Sequence, residues 1–130
     1  MSKWLMKSEP GCWSWDQQAK CRDHEWKRVR NAQAANSMRA MKKGDHSFFY
    51  HSVSEKQVVG IVEIVREWLP DHDDPSGKLG TVKVKAVKPL SAPVTLADIK
   101  ADDRLADLAL VRQSRLSVMP VDAKSWKIIC

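Results

Sequence analysis

The residues best suited to chemistry form one short cationic and aromatic segment, Trp26 to Asn31. It places an indole ring, three cations and an amide within six residues. A ring face can stack on a base for ~1–3 kcal/mol, and arginine can bind a phosphate through two parallel hydrogen bonds. An asparagine amide carries both a donor and an acceptor, so it can read a base edge. The segment therefore indicates nucleic-acid binding, although core packing of Trp26 and helix capping by Asn31 explain the same residues.

The positive charge of the chain is confined to its first third. Residues 1–44 hold ten Lys and Arg against four Asp and Glu, whereas residues 45–130 hold twelve of each, so this third accounts for the net charge of +6. Four of the six tryptophans lie in the same third, namely Trp4, Trp13, Trp15 and Trp26. Cations attract phosphates and rings stack on unpaired bases, which again favours a nucleic-acid partner. A solvated basic face with tryptophans in the core is the alternative.

Patterns typical of enzymes and metal sites are absent from the sequence. There is no GxSxG turn and no glycine-rich phosphate loop. His51 and Ser52 would point to opposite faces of a strand, so they cannot act as a base and nucleophile pair. The three cysteines form no CxxC pair and the four histidines form no HExxH site. We therefore expect a non-catalytic protein without metal or cofactor.

Length and composition predict one globular domain over residues 1–130. Hydrophobic residues make up 43% of the chain and charged residues 29%, which is ordinary for a folded protein. No apolar run approaches the ~20 residues of a membrane-spanning helix, and the first residues lack the apolar stretch of a signal peptide. We expect a soluble, intracellular protein in the cytoplasm, without a membrane partner and monomeric.

The elements that must position these residues can be read from periodicity and capping residues. A helix is predicted from Asn31, its N-cap, to Lys43, with Gly44 as its stop. Strands are predicted at residues 4–6, 47–52, 58–66, 81–88 and 116–119, and a surface loop at 68–80. Further helices are predicted to begin near Ser14 or Asp16, at Thr95, at Asp102 or Asp103, and at Asp122. Because the order lacks regular βαβ alternation, it predicts a small mixed sheet curled into a barrel with peripheral helices.

Five ordered blocks resemble the EVE domain of the PUA-like superfamily. They are WLMKSEP at 4–10, VRN at 29–31, RAMKKGD at 39–45, FFYHS at 48–52 and VRQSRLSV at 111–118. The resemblance runs from about Lys3 to Ile129 and implies an α+β fold, a PUA-like mixed β pseudo-barrel with peripheral helices. It also implies binding to DNA or RNA and recognition of a flipped, modified base, a cytosine derivative, in an aromatic and basic pocket.

The same resemblance assigns eleven residues to that pocket. They are Lys7, Ser8 and Glu9 at the mouth, Trp26 as a stacking wall, Arg30 and Asn31 on phosphate and base, Tyr50, His51 and Ser52 as the opposite wall, and Arg112 and Arg115 at the rim. The chain departs from the family pattern where Arg28 replaces a glycine, Ala32 an aromatic residue and Ala35 an arginine.

Two other functions fit the sequence. One is a nucleobase- or RNA-modifying enzyme with Glu9 as general base and His51 as general acid. The other is a small-molecule or protein-interaction module on the same barrel. Turnover of modified nucleosides would identify the first, and binding that persists unchanged at high salt would identify the second.

Overall fold

The computed structural model describes residues 2–8, 13–21, 23–26, 32–52, 55–70, 80–106, 108–113 and 116–129. The elements follow in the order β1 (Lys3–Ser8), α1 (Trp15–Lys20), β2 (His24–Trp26), α2 (Ala32–Ala40), β3 (His46–His51), β4 (Gln57–Pro70), β5 (Gly80–Thr95), α3 (Leu96–Ala101), a 3₁₀ turn (Asp103–Leu105), α4 (Ala109–Arg112), β6 (Val118–Val121) and α5 (Ala123–Ile129). No helix within these ranges is long and apolar enough to cross a membrane.

The six strands form one mixed sheet in the order β2-β5-β4-β3-β1-β6. The pairing of β1 with β3 is parallel, and the other four pairings are antiparallel. Within the described residues β2 and β6 remain the two edges, so the sheet is not closed. The predicted α+β class with a mixed sheet and peripheral helices is confirmed.

Strand β3 separates two aromatic clusters because successive side chains point to opposite faces of the sheet. On one face Phe48 stacks on Trp126 of α5, with ring centroids 3.9 Å apart. On the other face Phe49 meets Trp15 and Trp26 edge to face, at 5.5 and 5.6 Å. The two phenylalanines are fully buried, so β3 forms the centre of the core.

Several predicted elements have different ends in the structure. Helix α2 ends at Ala40 because the Asp45 carboxylate accepts the amide hydrogen of Lys42 at 3.0 Å, and Gly44 then takes a φ of 96°. The predicted loop at 68–80 is wrong at both ends, since Leu69 pairs with Thr81 and the hairpin continues to 70 and 80. Residues 71–79 lie outside the described ranges.

Two capping predictions are confirmed, at Thr95 and Asp122, and of the two starts predicted for the first helix the structure has Ser14. Ser14 caps α1 and accepts the amide hydrogen of Gln17, and Thr95 caps α3 in the same way through Asp98. The Asp122 carboxylate accepts the Ser125 amide hydrogen at the start of α5. Strand β2 was not predicted because its three residues are held by pairing with β5 rather than by a pattern of their own.

Candidate nucleic-acid interface

The predicted mouth and the predicted opposite wall meet at the carboxyl ends of β1 and β3. The parallel register places Lys7 beside Tyr50 and Ser8 beside His51. The Ser52 amide donates to the Ser8 carbonyl at 2.9 Å, which extends the contact past the last strand residue. Because successive side chains of a strand point to opposite faces, Lys7 and Tyr50 lie on one face of the sheet and Ser8 and His51 on the other, and the two sequence blocks meet at this end of the strands.

Lys7 carries the charge at this end of the sheet and is partly exposed, whereas only 2% of its neighbour Tyr50 is exposed. The Lys7 Nζ lies 5.7 Å from the centroid of the Tyr50 ring, a cation–π contact. Burial lowers the pKa of the Lys7 ammonium and raises the pKa of the Tyr50 phenol. Since a partly desolvated ammonium gains by meeting an anion, this position suits a phosphate group.

The block near the carboxyl terminus reaches the same end of the sheet through its backbone. The Lys7 amide donates to the Ser117 carbonyl at 2.8 Å, and the Leu116 amide donates to Gln113 at 3.0 Å. Arg112, the last residue of α4, is exposed on the approach to this segment. The structure thus brings three of the five blocks together.

His51 uses both ring nitrogens inside the protein. Its Nε2 accepts the Trp15 amide hydrogen at 2.9 Å, so the ring proton lies on Nδ1 and is donated to Glu55 Oε1 at 3.0 Å. The hydrogen bond from His51 lowers the pKa of Glu55. The imidazole is buried, and it braces β3 against α1. A general acid needs a proton free to reach its substrate, so this arrangement disfavours the enzyme hypothesis.

Ser8 also connects the sheet to α1. Its hydroxyl donates to the Trp13 carbonyl, and only 9% of the residue is exposed. Ser8 and His51 therefore fix the two ends of the short segment from Trp13 to Trp15. Both side chains bind backbone atoms of that segment.

Trp26 is a core residue in the structure. Only 6% of it is exposed, and its ring packs against Phe49 at an interplanar angle of 86°. Strand β2 holds it there by pairing Trp26 with Val82. These contacts favour the core-packing alternative, and stacking of a base on Trp26 stays a prediction.

Four predicted site residues lie outside the described residues, namely Glu9, Arg30, Asn31 and Arg115. The replaced glycine position, Arg28, lies outside them as well. Ala35 is buried in α2, so the position that the family gives to arginine is filled here by a small side chain.

The sequence interpretation left Trp13 and Gln18 out of the site. The Trp13 ring stacks on His24 with centroids 3.8 Å apart and planes 14° apart, and its Nε1 donates to Gln18 Oε1 at 2.9 Å. Gln18 is fully buried, and its amide nitrogen donates to the Val84 carbonyl at 3.2 Å. The density of tryptophans around the Ser14 cap was the available signal for this arrangement.

A cleft of about 540 Å³ opens at the other end of β1. It is lined by residues that include Lys3, Trp4, Leu108 and Val121. Because Lys3 and Lys7 stand four residues apart on one strand, about 13 Å separates the cleft from the predicted pocket mouth. The cleft is therefore a different feature from the predicted pocket.

Comparison with known proteins gives a consistent result. The EVE domain family model matches residues 2–130. Human thymocyte nuclear protein 1 is 31% identical over 166 aligned residues, covering 98% of this chain and 72% of the relative. An NMR structure from Rhodopseudomonas palustris is 53% identical with a TM-score of 0.94, covering 100% of this chain and 91% of that one.

A crystal structure of human THYN1 in complex with 5-methylcytosine containing DNA is 31% identical with a TM-score of 0.92, covering 99% of this chain and 95% of that one. The predicted resemblance is confirmed, since the family model matches nearly every residue and the solved relatives share the fold. This chain belongs to the EVE domain family.

Proposed function

We propose that this chain is a non-catalytic nucleic-acid-binding module that recognises a modified cytosine. The observation that carries the proposal is the parallel register that sets Lys7 against Tyr50 at the carboxyl ends of β1 and β3. The complex of human THYN1 with 5-methylcytosine containing DNA supports the class of ligand.

In this proposal Lys7 binds a phosphate, because its ammonium is partly removed from water beside the Tyr50 ring. Ser52 faces the sugar and the base edge, the buried Tyr50 ring supports Lys7, and Arg112 approaches the backbone from the rim. Glu9, Arg30, Asn31 and Arg115 belong to the same proposed pocket, and Trp26, which is buried against Phe49, supports its wall from the core. Extruding a base costs a few kcal/mol, which stacking and edge hydrogen bonds must offset.

His51 and Ser8 keep their place in the proposed pocket as residues that position it. They hold the segment from Trp13 to Trp15 through hydrogen bonds to its backbone. RNA as an alternative ligand, a monomeric state, a single domain over 1–130 and a cytoplasmic location stay predictions of the sequence.

The test is a panel of oligonucleotides of one sequence that differ only in the modification of one cytosine. Each is titrated against the protein at two salt concentrations, as DNA and as RNA. We expect tighter binding to one modified form, and affinity that falls steeply with salt because phosphate contacts contribute much of the binding. Equal affinity for all cytosine forms would contradict recognition of a modified cytosine. Affinity that does not depend on salt would favour the small-molecule or protein-interaction alternative.

A further inference from the structure

We propose that Trp13 is a second stacking platform, which binds the nucleotide flanking the recognised base. This inference rests on the proposed function and adds a residue to the same site. It concerns a ring that the sequence resemblance did not assign to the pocket.

Trp13 is held at the carboxyl end of β1, on the face of the sheet that carries the Ser8 side chain. The Ser8 hydroxyl donates to its carbonyl, and Ser8 follows Lys7 at the carboxyl end of β1. His51 holds the amide of Trp15 two residues further on. Both strands that form the site therefore fix the segment that carries Trp13.

The indole of Trp13 is held unusually firmly for a side chain that is only partly buried. One face stacks on His24 at 3.8 Å, and the ring N–H is bound to Gln18, whose side chain is fully buried. A flat ring that is already ordered loses little conformational entropy when a base stacks on it. Rigid support behind a partly exposed ring is the arrangement that a stacking platform requires.

Other described tryptophans near the sheet are less available for stacking with a base. Trp26 is buried against Phe49. The Trp15 ring covers Gly60, where an added Cβ would lie 2.5 Å from it. Trp68 is partly exposed, but it lies over Gly80 near the end of the β4–β5 hairpin.

The experiment compares Trp13→Leu, Trp13→Phe and the control Trp68→Leu. Each is titrated with a short single-stranded oligonucleotide containing one 5-methylcytosine, and with free 5-methyl-2′-deoxycytidine. We expect Trp13→Leu to bind the oligonucleotide about 5- to 150-fold more weakly, the ratio that corresponds to loss of one stacked base. Binding of the free nucleoside should be unchanged, and Trp13→Phe should recover part of the loss.

The two ligands separate the platform from the pocket. A wild-type protein that binds no oligonucleotide would overturn the proposed function itself. If the wild type and Trp13→Leu bind the oligonucleotide equally well, the proposed function is retained and the stacking role of Trp13 is wrong. Equal losses for oligonucleotide and nucleoside, or a loss as large in Trp68→Leu, would also overturn the platform. Circular dichroism spectra of the variants identify any that fail to fold, and for those Trp13→Phe decides.

Discussion

Replacing His51 with Phe should destabilise the fold through the link between β3 and α1. The change keeps an aromatic ring beside Phe49, whose centroid is 5.7 Å away, but removes the acceptor for the Trp15 amide and the donor to Glu55. A neutral hydrogen bond contributes ~0.5–1.5 kcal/mol, and a partly buried amide left without a partner costs ~1–3 kcal/mol. We therefore expect the free energy of unfolding to fall by about 2–3 kcal/mol.

The assay is urea unfolding followed by tryptophan fluorescence, with His51→Gln as the matched variant. The glutamine oxygen can take the place of Nε2 and accept the Trp15 amide hydrogen, so this variant should recover about half of the loss. In thermal unfolding the Phe variant should melt roughly 6–12 °C below the wild type. A fall in the free energy of unfolding below about 0.5 kcal/mol, or no difference between the Phe and Gln variants, would refute the conclusion that His51 links β3 to α1.

Further predictions concern pH and packing. Because burial lowers the pKa of Lys7, nucleic-acid affinity should fall as pH rises from 7 to 10, while Lys7→Met should give a flat profile. If the wild type and Lys7→Met give the same pH profile, Lys7 does not contact the nucleic acid. Burial raises the pKa of Tyr50, so its phenol ionises less over this range than an exposed tyrosine does. The hydrogen bond from His51 lowers the pKa of Glu55, so its stabilising effect is present above about pH 4.5 and lost below the lowered value. Between pH 7 and 3, Glu55→Gln should therefore lose less stability than the wild type, by a few tenths of a kcal/mol in urea unfolding. Equal losses of stability in the two proteins would contradict this prediction. Gly60→Ala should cost ~1–3 kcal/mol in the same assay, since the added Cβ would lie 2.5 Å from the Trp15 ring, and a variant as stable as wild type would contradict that packing.

The local features of the fold were predictable because their causes lie within a few residues of sequence. Ser14, Thr95 and Asp122 each cap a helix through a backbone amide three residues away, Thr95 and Asp122 where the sequence placed them and Ser14 as one of two predicted starts. Helix α2 begins at Ala32, in agreement with the sequence prediction, whereas its end was set by Asp45 from outside the helix.

Features that depend on distant pairing could not be read in this way. The extension of β4 to Pro70 comes from its pairing with β5, and β2 exists only because three residues meet Val82–Val84. His51 is separated from Trp15 by thirty-six positions, so no local pattern reveals that its nitrogens are engaged.

In the candidate site, too, some features were predictable from the sequence and others depend on tertiary packing. The blocks containing Lys7 and Tyr50 were predicted to be neighbours through family resemblance, and the parallel register brings them together. The burial of Trp26 was one of two open alternatives, because a cationic neighbourhood and an aromatic ring are compatible with either a core or a surface position. The support of Trp13 by Gln18 requires a side chain buried by tertiary packing, which composition cannot show.

The most direct test of the proposed interface uses two lysines of one strand. Lys3 and Lys7 lie on the same face of β1, each over an aromatic ring, with Nζ 5.0 Å from the Trp126 centroid and 5.7 Å from the Tyr50 centroid. We expect Lys7→Met to weaken binding to a 5-methylcytosine oligonucleotide about tenfold and to reduce the salt slope by about 1, while Lys3→Met leaves both unchanged. Equal behaviour of the two variants would contradict the placement of the nucleic acid at the carboxyl ends of β1 and β3.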